Sequence, residues 1–517
     1  MEKKNSFLVG SEEWIEEDNL YEENRKKYFD KIKLFLKKYL LLDNVNFLFG
    51  TGSSLHLGAE SIQGIPKQIS DGINSSGYNE IFLYLKGKYE EKKVSEIKEI
   101  LKQEEKDFFI WEDKRNSLTG KLKEEINKKI DEDKIKVTND KISLKNILNE
   151  VNEEEKEEIY KLGVEIKLED FLNYLFAIKY LMEKSEGLII DEILKYEELE
   201  GLILTIKRSL FKLCDIDKIK LDDNIFLKKV DTEKIKKIME DEGKYTYHKS
   251  FLTSLLQRPL NLRRANIFTL NYDLAFEYAC DELAIQYING FVGFNERNFR
   301  PEVYNYDFFY PGDTTEGKVR RIERVIKYYK LHGSLNWVHK KESKNNPYGL
   351  YEIPIDLVRL KLELNKSKEL GDIMIYPTSS KKEYTLNFPY SELFRKFADR
   401  LQQPEAVLFV VGYSFYDEHI NDIIYQALAN PSFTLIIIDY YGSKNGGEIL
   451  RLENLKDPRI IISQGPELGD FKIFAKELLP TMEQEDTRRK VMASLEALFS
   501  NEKNQGDEEC LVGKSEE

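Results

Sequence analysis

The chain has 517 residues, of which 41% are hydrophobic and 33% charged, a balance typical of folded globular proteins rather than disordered ones. Its net charge is −14, so a bare phosphate backbone would repel it, and direct nucleic-acid binding is not the expected activity. No apolar run approaches the roughly 20 residues that a membrane span requires.

The cysteines and the N-terminal sequence bear on the cellular compartment. Cys214, Cys280 and Cys510 lie far apart and form no CxxC pair, so neither a disulfide framework nor a cysteine zinc site is indicated. The first residues, MEKKNSFLVGSEEW, lack the sustained apolar segment of a signal peptide. We therefore expect a cytoplasmic protein.

Four regions are predicted along the chain. Residues 1–45 are expected to form N-terminal helices, and residues 481–517 a C-terminal helix with an acidic tail. Residues 76–255 are rich in Lys, Glu, Ile and Leu and poor in Gly and Pro, which predicts a helical insertion. Its clearest helical face has apolar residues at three- and four-residue steps: Leu168, Phe171, Leu172, Leu175, Ile178 and Met182.

Residues 46–75 and 256–480 are expected to form the catalytic domain. Short apolar runs bounded by turns recur there: NFLF, ANIFTL, YYKL, AVLFVV, FTLIIID and RIIIS. Near-continuous apolar strands are typical of a parallel sheet that is covered on both faces. The predicted fold is therefore α/β, a Rossmann-like doubly wound parallel sheet interrupted by a large all-helical insertion.

Ligands of doubly wound sheets bind beyond the carboxyl ends of the strands, so the residues just after each strand are the candidate site. These stretches are Gly50-Thr51-Gly52-Ser53-Ser54, Asn271-Tyr272-Asp273, His332-Gly333-Ser334, Gly412-Tyr413-Ser414 and the strand-terminal Asp439. We expect all of them to meet at one edge of the sheet.

The turn GTGSS combines two glycines with hydroxyl side chains. Backbone N–H groups there, together with the dipole of a following helix, would hold a diphosphate without a metal ion. The turn is neither GxGxxG nor a Walker A loop, since Leu55 takes the place of the third glycine and no lysine follows. A simple strand-to-helix turn is the alternative interpretation.

The stretch TLNYD follows the strand NIF. Asn271 at a strand end would hold a ribose hydroxyl or a water molecule, and Asp273 would accept a hydrogen bond from a carboxamide. Alternatively, Asn271 and Asp273 cap the next helix, LAFEYACDEL, as Asn and Asp often do. Taken alone, this stretch favours capping.

His332 is one of five histidines and ends the strand YYKL. A lone histidine is more often structural than catalytic, but Gly333 lets another group approach the backbone closely, which favours a functional role. The other four histidines give weaker signals: His56, His248, His339 and His419.

The stretch VVGYSFYDEHI contains a second glycine turn, with Gly412 and Ser414. Asp439 ends the strand IIID, where an acidic residue commonly holds the ribose hydroxyls in dinucleotide-binding folds. Asp417 is predicted to cap the following helix rather than to contact a ligand.

Taken in this order, the five stretches resemble the sirtuin family, in particular the sirtuin-like NADases of bacterial defence. GTGSS and the later Gly64-Ile65-Pro66 resemble the family's glycine loop and Gly-Ile-Pro segment. TLNYD resembles the Thr-x-Asn-x-Asp motif, KLHGS the His-Gly motif, and GYS with Asp439 the segments that hold the adenosine half of NAD. The resemblance covers residues from about 46 to 75 and from about 260 to 465.

The resemblance implies that the chain binds NAD as its substrate, without a metal ion. Asn271 would hold the nicotinamide ribose and position water, and His332 would be the base that acts on a ribose hydroxyl. Tyr272 and Asp273 would face the carboxamide. The other implied contacts are Gly50, Thr51, Gly52 and Ser53 at the diphosphate, and Gly412, Ser414 and Asp439 at the adenosine end.

One departure from the family bears on which NAD-dependent activity is expected. Deacylase sirtuins usually carry a four-cysteine zinc ribbon, and this chain has no CxxC. This favours an NAD glycohydrolase that depletes NAD as an antiphage effector. An NAD-dependent deacylase or ADP-ribosyltransferase stays open, as does a non-catalytic sensor of NAD or ADP-ribose, although Asn271 together with His332 favours catalysis.

The resemblance also bears on assembly. Many members of this branch work as oligomers or with a partner such as a ring-forming ATPase encoded beside them. We therefore expect a homo-oligomer and name a ring-forming ATPase as a candidate partner.

Overall fold

The computed structural model describes residues 5–15, 18–59, 66–102, 108–111, 120–132, 134–135, 137–138, 141–164, 166–184, 194–216, 243–311, 319–363, 372–375, 390–445 and 447–480. The chain divides into two compact units, one of residues 1–60, 214–375 and 384–517 and the other of residues 61–213 and 376–383. The predicted C-terminal helix and acidic tail lie outside the described residues, as do Gly64 and Ile65.

In chain order the described strands are β1 (Ser6–Val9), β2 (Glu12–Glu13), β3 (Val45–Phe49), β4 (Phe109–Trp111), β5 (Val137–Thr138), β6 (Lys141–Ser143), β7 (Asn266–Thr269), β8 (Gln286–Ile288), β9 (Phe291–Val292), β10 (Arg297–Phe299), β11 (Phe309–Pro311), β12 (Val319–Arg321), β13 (Val325–Lys330), β14 (Gly333–His339), β15 (Leu350–Glu352), β16 (Asp372–Ile375), β17 (Val407–Val411), β18 (Thr434–Asp439) and β19 (Ile460–Gln464).

The first unit is built on a nine-stranded sheet in the order β2-β1-β19-β18-β17-β3-β7-β13-β8. The strands from β19 to β8 run parallel to their neighbours. All six apolar runs read from the sequence as strands take part in this parallel region. The predicted Rossmann-like parallel sheet is therefore confirmed.

The sheet is buried on both faces, which explains the near-continuous apolar sequences of its strands. Along β17, Val407, Phe409 and Val411 pack into one core, whereas Leu408 and Val410 pack into a second core. Because successive side chains of a strand point to opposite faces, the two cores lie on opposite sides of the sheet. The sheet is thus doubly wound.

Helices supply the outer layers of the two cores. The helices of the first core are Asp18–Leu40, Thr246–Leu256, Ala275–Glu282 and Phe471–Ile473, the last continuing as the π-helical turn Phe474–Leu478. The helices of the second core are Tyr390–Leu401, Glu418–Leu428 and Gly447–Asn454. The first unit also contains the helix Ile355–Glu363.

The edges of the sheet differ from the sequence prediction. The N-terminal region, predicted to be helical, contains β1 and β2 before its helix, and β1 pairs antiparallel with β19 so that Ser6 lies opposite Gln464. A four-residue strand whose partner lies more than 450 residues later leaves little local signal. At the other edge, β8 is a further strand that the sequence analysis did not identify.

Smaller sheets complete the first unit. Strands β16-β14-β15-β10-β9 form an antiparallel five-stranded sheet, and β11 pairs with β12. No strand was predicted between YYKL and AVLFVV. In the structure, Gly333 instead opens β14, so His332 lies between two strands of different sheets.

The second unit is mainly helical but not entirely so, in contrast to the all-helical prediction. Its helices are Lys67–Ser76, Asn79–Lys102, Gly120–Asp131, Leu144–Glu150, Glu153–Leu162, Leu168–Lys184 and most of Tyr196–Cys214. The unit also contains a small antiparallel sheet, β4-β6-β5. The predicted face of Leu168–Lys184 is buried at Leu168, Phe171, Leu172, Leu175 and Ile178.

The helix Thr246–Leu256 was predicted as part of the insertion, yet it packs in the first unit. Its Phe251 ring meets the rings of Phe47 and Phe49 on β3 at centroid distances of 4.9 and 5.0 Å. Among the described helices, none combines the length and the apolar character needed to cross a membrane.

Candidate active site

One row of paired residues defines the carboxyl edge of the sheet. Reading across the sheet, the row consists of Ile438, Val411, Phe49, Thr269 and Lys330. The stretches GTGSS, LHGS and GYS and the residue Asp439 begin immediately beyond this row, and TLNYD begins in the row itself, at Thr269. The register therefore brings the predicted stretches to the same edge of the sheet, as the strand-end argument expected.

The turn after β3 touches the turn after β17. The Gly50 N–H donates to the carbonyl of Val411 at 3.0 Å, and the Gly52 N–H donates to the carbonyl of Gly412 at 2.9 Å. A Cβ atom on Gly52 would lie 2.6 Å from the Cα of Gly412, whose φ is +62°. The close approach of the two backbones requires glycine at both positions.

Gly412→Ala is expected to lower the free energy of unfolding by roughly 2–5 kcal/mol. A left-handed φ costs an alanine about 1–2 kcal/mol, and the clash with the Gly52 backbone adds about 1–3 kcal/mol. Gly58→Ala is the matched control, because Gly58 has a φ of +87° but no atom within 4 Å of the added Cβ. Urea denaturation of both variants measures the difference, and equal losses would contradict the contact argument.

The amides of the glycine turn are already engaged. Besides the two bonds to the β17 turn, Ser53 N–H donates to the Gly50 carbonyl at 3.1 Å and Ser54 N–H to the Thr51 carbonyl at 2.9 Å. A diphosphate bound by Gly50, Gly52 and Ser53 must therefore exchange some of these bonds for phosphate oxygens. The contribution of these residues and of Thr51 to NAD binding stays a prediction.

Asn271 joins the end of β7 to the glycine turn. Its Nδ2 lies 3.1 Å from the Gly50 carbonyl oxygen, 3.2 Å from Ser53 Oγ and 3.2 Å from Ser54 Oγ. Its backbone N–H donates to Thr269 Oγ1 at 3.0 Å. The residue is only 9% exposed. These contacts fix the amide group at the carboxyl edge between β3 and β7.

Asp273 has a structural role in the same turn. Its Oδ1 accepts a hydrogen bond from the N–H of Ala275, the first residue of the helix Ala275–Glu282, at 3.0 Å. Burial raises the pKa of Asp273, and the Lys330 ammonium, the Ala275 N–H and the Ser54 hydroxyl oppose that rise. Tyr272 is buried beside it. Contact of Asp273 and Tyr272 with a carboxamide stays a prediction.

A buried ion pair that was not predicted from the sequence supports the TLNYD turn. Lys330, at the end of β13, is 3% exposed, and its Nζ lies 3.0 Å from Glu277 Oε1. The same ammonium donates to the backbone carbonyls of Tyr272 and Asp273. Burial raises the pKa of Glu277, and the Lys330 ammonium opposes this. The only local signal is a lysine inside the apolar run YYKL.

His332 lies next to Asp417. Its Nε2 is 3.1 Å from Asp417 Oδ2, and the two side chains are 10% and 7% exposed. Asp417 also caps the helix Glu418–Leu428, because its Oδ1 accepts a hydrogen bond from the His419 N–H at 3.1 Å. The predicted cap is therefore present, together with a contact to His332 that the sequence analysis did not foresee.

The residues predicted at the adenosine end of NAD differ in their exposure to solvent and in their hydrogen bonds. Ser414 is exposed, whereas Asp439 is 7% exposed and accepts hydrogen bonds through Oδ1 from the N–H groups of Tyr441 and Gly442, at 2.9 and 2.6 Å. Burial raises the pKa of Asp439, and these two N–H groups oppose the rise. Asp439 thus stabilises the turn that follows β18. Its contact with a ribose stays a prediction.

Two other histidines, the buried His248 and the half-buried His56, form a stacked pair close to the glycine turn. The rings of His56 and His248 stack at 5.4 Å, and Phe471 packs against both of them. Burial lowers the pKa of His56 to about 4, with a further lowering by Lys472 and an opposing effect of Asp470. Burial, then the charge of His56, lowers the pKa of His248 to about 3.

This pair predicts a loss of stability in mild acid. The unfolded histidines take up protons near pH 6.5, whereas the folded ones stay neutral until about pH 4 and 3. Stability therefore falls as the pH drops below 6.5, by up to about 1.4 kcal/mol per pH unit for each histidine. His248→Leu should show a shallower fall than the wild type in urea denaturation between pH 7.5 and 5.5. Equal slopes would contradict the assignment.

The part of the chain that the structure describes contains no group of three or more His, Cys, Asp and Glu side chains arranged to hold a metal ion. Cys214 and Cys280 are free thiols.

Comparison with known proteins identifies one region of similarity. Residues 265–456 match the model of the SIR2-like domain family, and this segment runs from β7 to the helix Gly447–Asn454. It includes TLNYD, LHGS, GYS and Asp439, whereas the glycine turn lies before it. No curated protein matches the chain.

Proposed function

We propose that the chain is an NAD glycohydrolase. The reaction breaks the bond between the nicotinamide nitrogen and C1′ of the ribose, and nicotinamide leaves with the bonding electron pair. A water oxygen bonds to C1′, giving ADP-ribose and one released proton. A SIR2-like domain supports NAD as the substrate, since such domains typically act on NAD.

The observation that carries this proposal is the shared position of Asn271 and His332. Thr269 and Lys330 are paired in the neighbouring strands β7 and β13, and each candidate residue lies two positions beyond its member of that pair. An amide and an imidazole therefore follow adjacent strands at the carboxyl edge, inside the SIR2-like segment.

These two groups suit the chemistry of the bond. Nicotinamide in NAD is already cationic, so its departure needs no general acid, and the transition state resembles an oxocarbenium ion. A neutral His332 that accepts a ribose proton increases the electron density on that oxygen, which stabilises the developing positive charge. The Asn271 amide orients water. Because the amide is uncharged, it does not itself bond to the cationic ribose carbon.

The other substrate contacts follow the order of the strands. Gly50, Thr51, Gly52 and Ser53 would take the diphosphate, Gly412, Ser414 and Asp439 the adenosine end, and Tyr272 and Asp273 the carboxamide. Hydrolysis is preferred to deacylation because the sequence contains no CxxC for the zinc ribbon of deacylases.

The direct test incubates the purified full chain with NAD and quantifies nicotinamide and ADP-ribose. Equal release of both products supports the glycohydrolase. Release that requires an acyl-lysine peptide identifies a deacylase, and ADP-ribose attached to protein identifies a transferase. Tight NAD binding without turnover identifies a sensor, whereas neither binding nor turnover would overturn the proposal.

We further propose that this activity serves antiphage defence in the cytoplasm and that the protein acts as a homo-oligomer, with a ring-forming ATPase as candidate partner. The support is the resemblance of the motifs to defence-associated NADases. Bacteria that express the wild type should lose NAD on phage infection, and those that express His332→Ala should not. Light scattering of the purified chain measures the oligomeric state.

A further inference from the structure

The contact between His332 and Asp417 goes beyond what helix capping requires. Capping uses Asp417 Oδ1, which accepts the His419 N–H. The second oxygen, Oδ2, lies 3.1 Å from His332 Nε2, on a residue 85 positions earlier in the chain. A serine or asparagine would cap this helix equally well, so capping alone does not account for a carboxylate here.

Asp417 is held firmly in this position. The Tyr413 hydroxyl lies 3.0 Å from the Asp417 backbone nitrogen and 3.1 Å from its carbonyl oxygen. The same hydroxyl lies 3.0 Å from Asn421 Oδ1, and Asn421 Nδ2 donates to the Phe415 carbonyl at 2.7 Å. Phe415 has a φ of +56°, a left-handed conformation that a phenylalanine rarely adopts. The loop from 412 to 417 is therefore shaped by several buried bonds that fix the direction of the carboxylate.

The two side chains meet across the predicted substrate site. His332 follows β13 and Asp417 follows the turn after β17, and β3 and β7 lie between these strands. Three strand spacings amount to about 14 Å, so both loops lean over the ends of β3 and β7. The Asn271 amide and the glycine turn occupy those ends. The pair thus sets the place of the imidazole relative to Asn271.

A carboxylate at this distance favours the proton on the imidazole nitrogen that faces it. The contact is a charge contact at 3.1 Å that lacks hydrogen-bond geometry at Nε2. An ionised carboxylate accepts hydrogen bonds and repels a lone pair, so it favours the hydrogen of a neutral His332 on Nε2. The lone pair that takes up a proton is then on Nδ1. This is the logic by which the acid of a catalytic triad orients its histidine.

We propose that Asp417 is the positioning residue of His332, fixing the Nε2–H tautomer so that Nδ1 is the base toward the ribose hydroxyl. This inference rests on the proposed NAD cleavage for its catalytic consequence. The orientation of the imidazole is a property of the protein that can be measured without substrate.

The test is Asp417→Asn in the full chain. Asparagine keeps the acceptor for the His419 N–H, but its NH₂ group would face His332 and favour the Nδ1–H tautomer, which has no lone pair on Nδ1. We expect kcat for NAD cleavage to fall by roughly 10²–10⁴-fold, while the dissociation constant of NAD changes by less than about threefold. A loss of fold would instead weaken binding and lower the melting temperature.

Nitrogen-15 NMR of histidine-labelled protein at mildly alkaline pH gives the independent readout. The His332 signals, assigned by their loss in His332→Ala, should report Nε2–H in the wild type and Nδ1–H in Asp417→Asn. Asp457→Asn is the matched control. Asp457 Oδ1 also accepts the backbone N–H of the residue two positions later, Arg459, but Asp457 lies before the first residue of β19, at the amino edge of the parallel sheet. It should leave kcat and the His332 signals unchanged.

The possible results separate the positioning role of Asp417 from the proposed NAD cleavage. A wild-type Nδ1–H tautomer, or unchanged turnover in Asp417→Asn, would overturn the positioning role. A wild type that cleaves no NAD would overturn the proposed function, while the spectra alone would still judge whether Asp417 orients His332.

Discussion

Replacing His332 by alanine is expected to lower kcat for NAD cleavage by roughly 10²–10⁴-fold, with little change in NAD binding. The imidazole is the only group in the proposed site assigned to remove a ribose proton, and it acts in the transition state rather than in ground-state binding. Nicotinamide release at saturating NAD measures kcat, and calorimetric titration of the inactive variant measures the affinity.

Asn271→Ala should behave differently from His332→Ala. The Asn271 NH₂ group also holds the Gly50 carbonyl and the Ser53 and Ser54 hydroxyls. Its removal should therefore lower kcat and also raise KM, because the glycine turn at the diphosphate end loses its anchor. The contrast between the two variants separates a chemical role from a role in both chemistry and binding.

His339→Gln is the control for both variants. His339 ends β14, at the opposite end of that strand from Gly333, and is half-buried like many structural histidines. Its replacement should leave kcat and KM unchanged. If His332→Ala retained wild-type turnover while the protein cleaved NAD, His332 would not be the base.

The second large effect concerns stability. Lys330→Met is expected to lower the free energy of unfolding by about 3–5 kcal/mol, because it leaves the Glu277 carboxylate buried without its cation. It also removes a donor from the backbone carbonyls of Tyr272 and Asp273. The TLNYD turn, and with it Asn271, should loosen. Urea denaturation followed by tryptophan fluorescence measures the loss.

Two further variants test the cause of that loss. Lys330→Met combined with Glu277→Gln should recover part of the stability, since no uncompensated charge stays buried, although the two carbonyls still lack their donor. Lys340→Met removes the exposed pair with Glu296 and should cost less than about 1 kcal/mol. A loss at Lys330 no larger than that at Lys340 would show that the buried pair contributes little.

The sheet was predictable because its signal is local. Strands such as VLFVV and TLIIID are apolar at every or nearly every position, and only burial on both faces explains that pattern. The rule that ligands bind at the carboxyl ends of parallel strands then brought Asn271, His332 and the glycine turns to one edge. The register confirms that placement, because the residues just before them are paired in one row.

The missing features all depend on distant partners. Nothing near Asp417 reveals that its second oxygen reaches His332. The lysine of YYKL gives no hint that it meets Glu277, on the helix Ala275–Glu282, 53 residues earlier in the chain. The glycines of GTGSS suggested room for a phosphate, whereas the structure shows that Gly52 also makes room for Gly412. Such roles follow from the packing of separate loops, and the sequence of either loop alone does not determine them.

The pairing of β1 with β19 has a consequence for folding during synthesis on the ribosome. Ser6 leaves the ribosome early, but its partner Gln464 is made more than 450 residues later. At about 5–20 residues per second, that interval lasts roughly 20–90 s. The glycine turn likewise waits for Asn271 and Gly412 before its bonds can form. The nascent chain therefore cannot complete this sheet edge until Gln464 has been made, nor the bonds of the glycine turn until Gly412 has been made. Under the proposed function, NAD cleavage would begin only after that point.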